Sequence, residues 1–359
     1  MKGFEFPIVK TKFTQANGRK FSLDSPAERK EYFQLKAGAE IEKLKKFLEK
    51  NTFVAILLGK KNSGKGTYIK LFSEIVGGDH VAHLSIGDTV RAAHKELESG
   101  NYADLTEFLK RRYRGFLSVE KALEAITGRD TKTLALLPTE VILALIERQI
   151  DKIGKKAIFI DGFPRELDQI SYSIFLRAIM GYRDDPDFFV MIDLPESIID
   201  ARMRGRVICP KCQVPRHPKV LKTNAVGYDQ DTKEFYLICD NPECGGARMV
   251  YKEGDDQGIE AMRERIDKDD KIMRTLLELQ GVPKILLRNS IPVSEAQASV
   301  DDYEITPAYS YEWDEANKKV IVKTDPWVVN DDNGIPSHSL LPAPVVLAFI
   351  KQMTAVLGL

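Results

Sequence analysis

The chain contains little cysteine, no long apolar run and no excess of charge of either sign. Lys+Arg and Asp+Glu both number 53, so the formal net charge is zero and nothing favours nucleic acid or an acidic membrane surface as a partner. No stretch approaches about eighteen uninterrupted apolar residues, so we expect no membrane-spanning helix. No apolar signal core follows Met1, and we therefore expect a cytoplasmic protein.

Four cysteines are present, and all of them lie in one short window. Cys209 and Cys212 form a C-x2-C pair, and Cys239 and Cys244 follow 26 residues later as a C-x4-C pair. Paired cysteines in a chain of this type favour a tetrahedral zinc site, with two disulfides or four unrelated thiols as the alternatives. Because four thiolates fill the coordination sphere, the zinc would be structural, and His217 inside the window is not needed as a ligand.

A phosphate-binding loop is the strongest motif. Residues 53–58 (Phe-Val-Ala-Ile-Leu-Leu) have the apolar, β-rich character of a buried strand, and residues 59–67 (Gly-Lys-Lys-Asn-Ser-Gly-Lys-Gly-Thr) follow directly. A strand, a glycine-bounded loop, a lysine and then a helix form a cradle for nucleotide phosphates. The predicted donor-phosphate residues are Gly59, Asn62, Ser63, Gly64, Lys65, Gly66 and Thr67. The alternative is a lysine-rich surface turn before a helix.

Strands and helices alternate through most of the chain. This rhythm predicts an α/β fold with a parallel sheet. Further strands are predicted at 80–86, 156–161, 187–193 and 283–287. Ser25, Pro26 and Glu28 predict the start of a helix that runs to about residue 50, with an interruption near Gly38. The pattern also predicts short strands around 5–10, a hairpin at 303–311 and 318–324, and a last helix at 344–357.

Three more segments carry a family resemblance. They are residues 83–91 (His-Leu-Ser-Ile-Gly-Asp-Thr-Val-Arg), 159–169 (Phe-Ile-Asp-Gly-Phe-Pro-Arg-Glu-Leu-Asp-Gln), and 193–206, which runs into the cysteines. Together with the Gly-Lys-Gly-Thr of the loop, they resemble adenylate kinases and their nucleoside monophosphate kinase relatives. The resemblance covers roughly residues 53–287, and zinc-bearing lids occur within that family.

The resemblance implies a P-loop kinase that transfers a phosphoryl group from Mg-ATP to AMP. The implied catalytic residues are Lys65, Arg165, Arg202, Arg206 and Arg265, with Arg202 and Arg206 also on the donor. The implied acceptor site is Ile86, Gly87, Arg91, Gly162, Arg165, Gln169 and Arg265. Asp88 and Asp161 would hold Mg²⁺ through water, and Asp255 and Asp256 would close the lid.

The resemblance also implies a division of the chain. The kinase core would comprise 53–84, 151–206 and 257–300. An enlarged monophosphate-binding lobe would span 85–150, and a zinc lid 207–256. Segments 1–52 and 301–359 would be extensions, with the last helix packing on the core. We expect a monomer.

Two positions depart from the family pattern, and the first of them leaves the acceptor open. Ile86 stands where adenylate kinases usually carry threonine, and Lys252 stands near the place of an arginine before the lid acids. The alternatives are therefore a kinase for UMP, CMP or GMP, or a nucleotide-sensing protein on the same fold. A zinc protein that binds nucleic acid is disfavoured by the zero net charge.

Overall fold

A five-stranded parallel sheet forms the centre of the computed structural model, which describes residues 1–13, 19–128, 137–174 and 185–359. The strands are β1 (Val54–Leu58), β2 (Val81–Ser85), β3 (Ala157–Asp161), β4 (Asp187–Asp193) and β10 (Lys284–Arg288). Their order in the sheet is β10-β4-β1-β3-β2. Every residue of β1 is buried, as expected for a central parallel strand covered on both faces. The predicted α/β fold is confirmed.

Helices flank this sheet and connect its strands. In the described residues they are α1 (Pro26–Lys50), α2 (Lys65–Val76), α3 (Ile86–Glu98), α4 (Ala103–Arg112), α5 (Val119–Thr127), α6 (Thr139–Ile153), α7 (Gln169–Ile174), α8 (Glu196–Arg204), α9 (Arg263–Glu278), α10 (Val293–Ser299) and α11 (Pro342–Val356). Among the described helices, none has both the length and the apolar character needed to cross a membrane.

The two faces of the sheet bury separate apolar clusters. Ala55 and Leu57 of β1 point to the face covered by α1, α2 and α11, whereas Val54, Ile56 and Leu58 point to the face covered by α3, α6 and α9. This alternation follows from the period of two along a strand. The last helix, α11, therefore belongs to the main core.

The start of α3 corrects one prediction. The sequence predicts a strand at 80–86, but β2 ends at Ser85 and α3 begins at Ile86. The Ser85 side chain caps the helix by accepting a hydrogen bond from the Asp88 backbone N–H at 3.3 Å. Asp88 and Arg91 consequently both lie on α3.

The N-terminal region agrees with the sequence in part. Ser25 caps α1 as predicted, and Ala37 is non-helical beside the expected interruption at Gly38. The short strands predicted around residues 5–10 do not form in this described stretch, so that prediction was wrong. Phe6 and Val9 are buried in the apolar clusters, so the apolar character of the segment reflects packing and not strand pairing.

The remaining strands form small sheets outside the core. The remaining strands of the described residues are β5 (Val207–Ile208), β6 (Pro215–Arg216), β7 (Val226–Asp229), β8 (Glu234–Leu237), β9 (Val250–Tyr251), β11 (Ile291–Pro292), β12 (Pro307–Asp314), β13 (Lys319–Pro326), β14 (Val328–Asn330) and β15 (Pro336–His338). The predicted C-terminal hairpin is confirmed, and β12 pairs with β13 over eight residues each. Strands β5 to β9 build the segment that carries the cysteines, called here the cysteine lobe (residues 207–256).

The C-terminal hairpin lies against the cysteine lobe. The ring of Trp313 on β12 stacks on Tyr228 of β7, with the centroids 4.7 Å apart and an interplanar angle of 18°. Tyr311 packs on Phe235 of β8 at 5.6 Å and donates its hydroxyl hydrogen to the Pro218 carbonyl. Offset aromatic pairs of this kind contribute beyond the area they bury. The hairpin is thus joined to the lobe through ring faces.

A buried ionic cluster joins the N-terminal and C-terminal extensions. The Lys36 ammonium on α1 lies 2.7 Å from the Glu304 carboxylate and 2.6 Å from that of Asp301. Thr11 and Tyr32 also donate to Glu304, whose side chain is completely buried. These partners of the carboxylate all come from segments that the family motifs do not cover.

Candidate active site

The phosphate loop connects β1 to α2 with tight geometry. A side chain at Gly59 would place its Cβ 2.7 Å from the Ile192 carbonyl oxygen, so only glycine fits there. Gly64 has a φ of +94° immediately before α2. Lys65 opens the helix, and its ammonium donates to the carbonyl oxygens of Gly59 at 2.7 Å and Lys60 at 3.2 Å. The charge is therefore held over the loop.

The other loop residues surround the helix N-terminus. Asn62 has a φ of +67°, and Gly66 and Thr67 are exposed on the first turn of α2. Ser63 is buried, and its Oγ has no hydrogen-bond partner within the described ranges. Free backbone N–H groups at the positive end of a helix make this loop an anion site.

A cleft at the carboxyl ends of β1 and β3 gathers several of the predicted residues. Lys65 Nζ lies 3.9 Å from an Asp161 carboxylate oxygen. Arg165 donates from Nε to the Gly162 carbonyl at 2.9 Å. Five charged residues line the cleft: Lys65, Asp161, Arg165, Arg265 and Asp269. Gly59, Gly162 and several apolar residues complete its wall. The structure therefore brings together predicted residues from three segments that are far apart in the sequence.

The electrostatics of the cleft favour a bound anion. Burial lowers the pKa of Arg165 to about 10, and the neighbouring Arg265 contributes to this lowering. Burial likewise lowers the pKa of Lys65, with Asp161 opposing the shift. Burial raises the pKa of Asp269, which lies 3.5 Å from Arg265. Poorly solvated cations gain from an incoming phosphate, because it replaces their lost hydration.

Arg202 and Arg206 project from α8 and its end towards different partners. Arg206 forms a two-point ion pair with Asp255, with Nη2 to Oδ1 at 2.7 Å. Arg202 donates from Nη2 to the Ser339 hydroxyl at 2.9 Å. Asp256 also contacts α8, but through its backbone: its carbonyl oxygen accepts a hydrogen bond from Arg204 at 2.8 Å. Asp255 therefore anchors the base of the cysteine lobe to the end of α8.

The predicted acceptor residues fall into two groups. Gln169 is buried, accepts from the Arg165 backbone N–H at 2.9 Å and donates to Thr139 at 3.2 Å. From the start of α7, it thus holds the loop that carries Gly162 and Arg165. Asp88 and Arg91 instead pair with each other on α3, largely exposed, and do not line the cleft around Lys65.

Ile86 and Gly87 lie in the first turn of α3 and are buried. The Ile86 side chain is 3% exposed and packs in the apolar cluster below that helix with Leu84 and Val90. A threonine at this position would place a hydroxyl in apolar surroundings, so isoleucine suits the packing seen here.

The four cysteines form one compact cluster. Their sulfur atoms all lie within 4.8 Å of one another, and Cys212 Sγ is 3.7 Å from Cys239 Sγ. Tetrahedral zinc with Zn–S bonds of about 2.3 Å separates its sulfurs by about 3.8 Å. All four, Cys209, Cys212, Cys239 and Cys244, are free thiols. The donor set therefore fits zinc and not two disulfides. His217 is engaged elsewhere, with Nε2 on the Ala201 carbonyl at 2.9 Å.

Two charged residues near the loop were not predicted from the sequence. Lys60 is 1% exposed, and its ammonium lies 3.0 Å from Glu196 and 3.8 Å from Asp332. Burial opposes the charged form, yet Asp332 and Glu196 raise the pKa of Lys60 overall. Neither partner is near in sequence, so no local pattern could reveal these contacts. Asp269 is different, because it lies four residues after the predicted site residue Arg265, the spacing that puts two side chains on one face of a helix.

A parallel sheet with a phosphate loop and a cationic cleft at its carboxyl edge defines a P-loop nucleotide-binding protein. The chain is 30% identical to an adenylate kinase of Clostridium acetobutylicum over 217 residues, covering 60% of this chain and 81% of that protein. It is 28% identical to an adenylate kinase of Paramagnetospirillum magneticum over 214 residues, covering 59% and 79%. No family model matches.

The chain belongs to the adenylate kinase family. A further adenylate kinase, from Clostridium tetani, is 27% identical over 236 residues, covering 65% of this chain and 88% of that protein. The resemblance found in the sequence is thereby confirmed, and the protein is a nucleoside monophosphate kinase.

Proposed function

We propose that this kinase transfers a phosphoryl group reversibly from Mg-ATP to AMP, giving two ADP. The observation that carries the proposal is the convergence of Lys65, Arg165 and Arg265 beside Asp161 in one cleft. Phosphoryl transfer requires mainly charge neutralisation and in-line positioning, which such a cluster supplies. The name shared by the curated relatives favours AMP as the acceptor.

The donor phosphates would occupy the loop at Gly59 and residues 62–67. Lys65 and Arg202 would neutralise their charge, and Arg206 would reach them from the base of the cysteine lobe. Mg²⁺, when bound with ATP, would screen the phosphate oxygens. Asp161 fits its water shell, because the carboxylate ends β3 beside Lys65 and is only partly buried. Asp88 would contribute only after release from Arg91.

The acceptor would lie on the other side of the cleft. Arg165 and Arg265 would bind its phosphate, Arg91 would join them, and Gln169 beside Gly162 would read the base. Segment 85–150, which includes α3 to α6, would form an enlarged acceptor lobe. The kinase core that carries this lobe would comprise 53–84, 151–206 and 257–300, as the sequence predicts. Ile86 keeps a second acceptor open, since a UMP, CMP or GMP kinase would use the same phosphate contacts.

The cysteine lobe would act as a lid that excludes water from the reaction. Support comes from Lys61 on the phosphate loop: burial lowers its pKa, and Arg265, Lys252 and Arg206 lower it further. Two of these cations, Lys252 and Arg206, belong to the lobe or its hinge. Their positive charge acts on the loop, and Lys252 would add to the charge that meets the phosphates.

A coupled assay of ADP formation tests the acceptor. With Mg-ATP present, we expect turnover with AMP to exceed that with UMP, CMP and GMP by at least about 10²-fold, as a hydrogen-bonded base pocket allows. Faster turnover with another monophosphate would reassign the acceptor. Binding of ATP without turnover of any acceptor would favour a nucleotide-sensing protein.

Bound zinc gives a second prediction. We expect the purified protein to contain one zinc ion per chain, and Cys239→Ser to remove it and lower the melting temperature, because the lobe is too small for a sufficient core of its own. Elemental analysis and thermal unfolding measure both. Glu243→Gln is the matched control, since Glu243 is exposed beside Cys244. Full zinc retention in Cys239→Ser would contradict a four-thiolate site.

A further inference from the structure

Arg202 is a partly buried cation without a carboxylate partner. Within the described ranges no Asp or Glu oxygen lies within ion-pair distance of its guanidinium, whereas Arg204 on the same helix pairs with Asp200 and Arg206 pairs with Asp255. The hydrogen bond seen for Arg202 runs to the neutral hydroxyl of Ser339. Burial lowers the pKa of Arg202, as expected for a cation that has lost water and gained no anion.

The Ser339 hydroxyl donates its hydrogen bond in one defined direction, away from Arg202. Ser339 is completely buried and donates its single hydroxyl hydrogen to Asn289 Oδ1 at 3.1 Å. Its oxygen lone pairs are therefore left for Arg202, which donates at 2.9 Å. The side-chain oxygen of Asn289, Oδ1, also accepts a hydrogen bond from the Leu340 backbone N–H at 2.9 Å. The side-chain nitrogen of Asn289, Nδ2, donates to the Tyr68 hydroxyl. Arg202 thus stands at the end of a hydrogen-bonded chain whose other members, Ser339, Asn289 and Tyr68, are uncharged side chains.

This chain of hydrogen bonds is anchored in the rigid core. The Asn289 backbone N–H donates to the Asp193 carbonyl at the end of β4, at 3.1 Å. On the other side, the Thr306 backbone N–H donates to the Ser339 carbonyl at 2.8 Å. Both anchors restrict the position of the Ser339 oxygen, and so they restrict the direction in which the guanidinium can point.

We propose that Ser339 is a positioning residue that holds Arg202 towards the donor phosphates with a neutral acceptor. Ser339 lies beyond residues 53–287, which carry the family motifs, so the C-terminal extension contributes to the reaction site. A carboxylate at this place would pair with the guanidinium and compete with phosphate for it. A hydroxyl orients the group and leaves its full charge for ATP. This inference rests on the proposed donor role of Arg202.

The test compares Ser339→Ala with Ser337→Ala by steady-state kinetics. Ser337 is the matched control, since it is also buried and its hydroxyl donates to the Ile335 carbonyl at 3.1 Å. We expect Ser339→Ala to raise KM for ATP about tenfold, the scale of one hydrogen bond to a charged group. KM for the acceptor should stay within about twofold, Ser337→Ala should match the unmodified protein, and Ser339→Thr should restore most of the affinity.

A double-mutant cycle with Arg202→Ala separates positioning from general stability. If Ser339 acts through Arg202, Ser339→Ala adds little in the Arg202→Ala background. Equal effects in both backgrounds, or equal losses in Ser339→Ala and Ser337→Ala, would overturn the proposal. Unaltered ATP affinity in Ser339→Ala, in a chain whose unmodified form is active, would also overturn it. An unmodified protein that neither binds ATP nor turns over would instead contradict the proposed function.

Discussion

We expect Lys65→Ala to lower the rate of phosphoryl transfer by about 10²–10³-fold, the usual effect of removing one preorganised cation or donor. The Lys65 ammonium is held over the phosphate loop by two backbone carbonyls and lies beside Asp161. It is therefore in place before the reaction and needs no reorganisation. The coupled ADP assay measures the loss, with circular dichroism to show that the fold persists.

Lys46→Ala is the matched control for that variant. Lys46 is an exposed lysine on α1, away from the sheet edge, and its removal should change the rate by less than about twofold. A rate for Lys65→Ala within about threefold of the unmodified protein would contradict the assignment of residues 59–67 as a donor-phosphate cradle.

Glu304→Ala should destabilise the protein by about 3–5 kcal/mol, the range for breaking a buried ion pair from one side. The substitution leaves the buried ammonium of Lys36 with the Asp301 carboxylate and the Thr11 backbone carbonyl alone, and it leaves the hydroxyls of Thr11 and Tyr32 without their acceptor. Urea unfolding followed by tryptophan emission measures the change in the free energy of unfolding.

An exposed neighbour provides the comparison for Glu304. Asp302→Ala removes a carboxylate two positions away that forms no ion pair within the described residues, and it should cost less than about 0.5 kcal/mol. The double variant Lys36→Met with Glu304→Ala should lose less than the sum of the single variants, because neither the buried ammonium nor the buried Glu304 carboxylate is left without the other. Additive losses would show that the two charges act independently.

The sequence predicts those features in which local pattern and chemistry coincide. The β1 run leads into the glycine-bounded loop, so the phosphate loop can be located from the order of residues alone. The cysteine cluster is similarly predictable, since metal ligands come in closely spaced pairs. The capped start of α1 at Ser25 and the C-terminal hairpin follow from capping and turn residues. Each of these depends on residues that are near one another in the chain.

Features that depend on distant partners could not be predicted. Lys60 resembles a solvated loop lysine until Glu196 and Asp332 are brought beside it. Ser339 is one serine among many until the fold places it on Arg202. The helical position of Asp88 was missed for a different reason: the same Ser85 that ends β2 also caps α3. There, a strand end and a helix start share one residue.

The stacking of Trp313 on Tyr228 gives the molecule an internal optical reporter. The chain has two tryptophans, and Trp327 is 4% exposed in an apolar cluster with Leu194, Ile198 and Val220. Trp313 instead lies on the hairpin with its ring against the cysteine lobe. Any rearrangement of the lobe relative to the hairpin alters the contact of this one indole with a tyrosine ring and with water. Its emission therefore follows the lobe in real time, in the unlabelled protein.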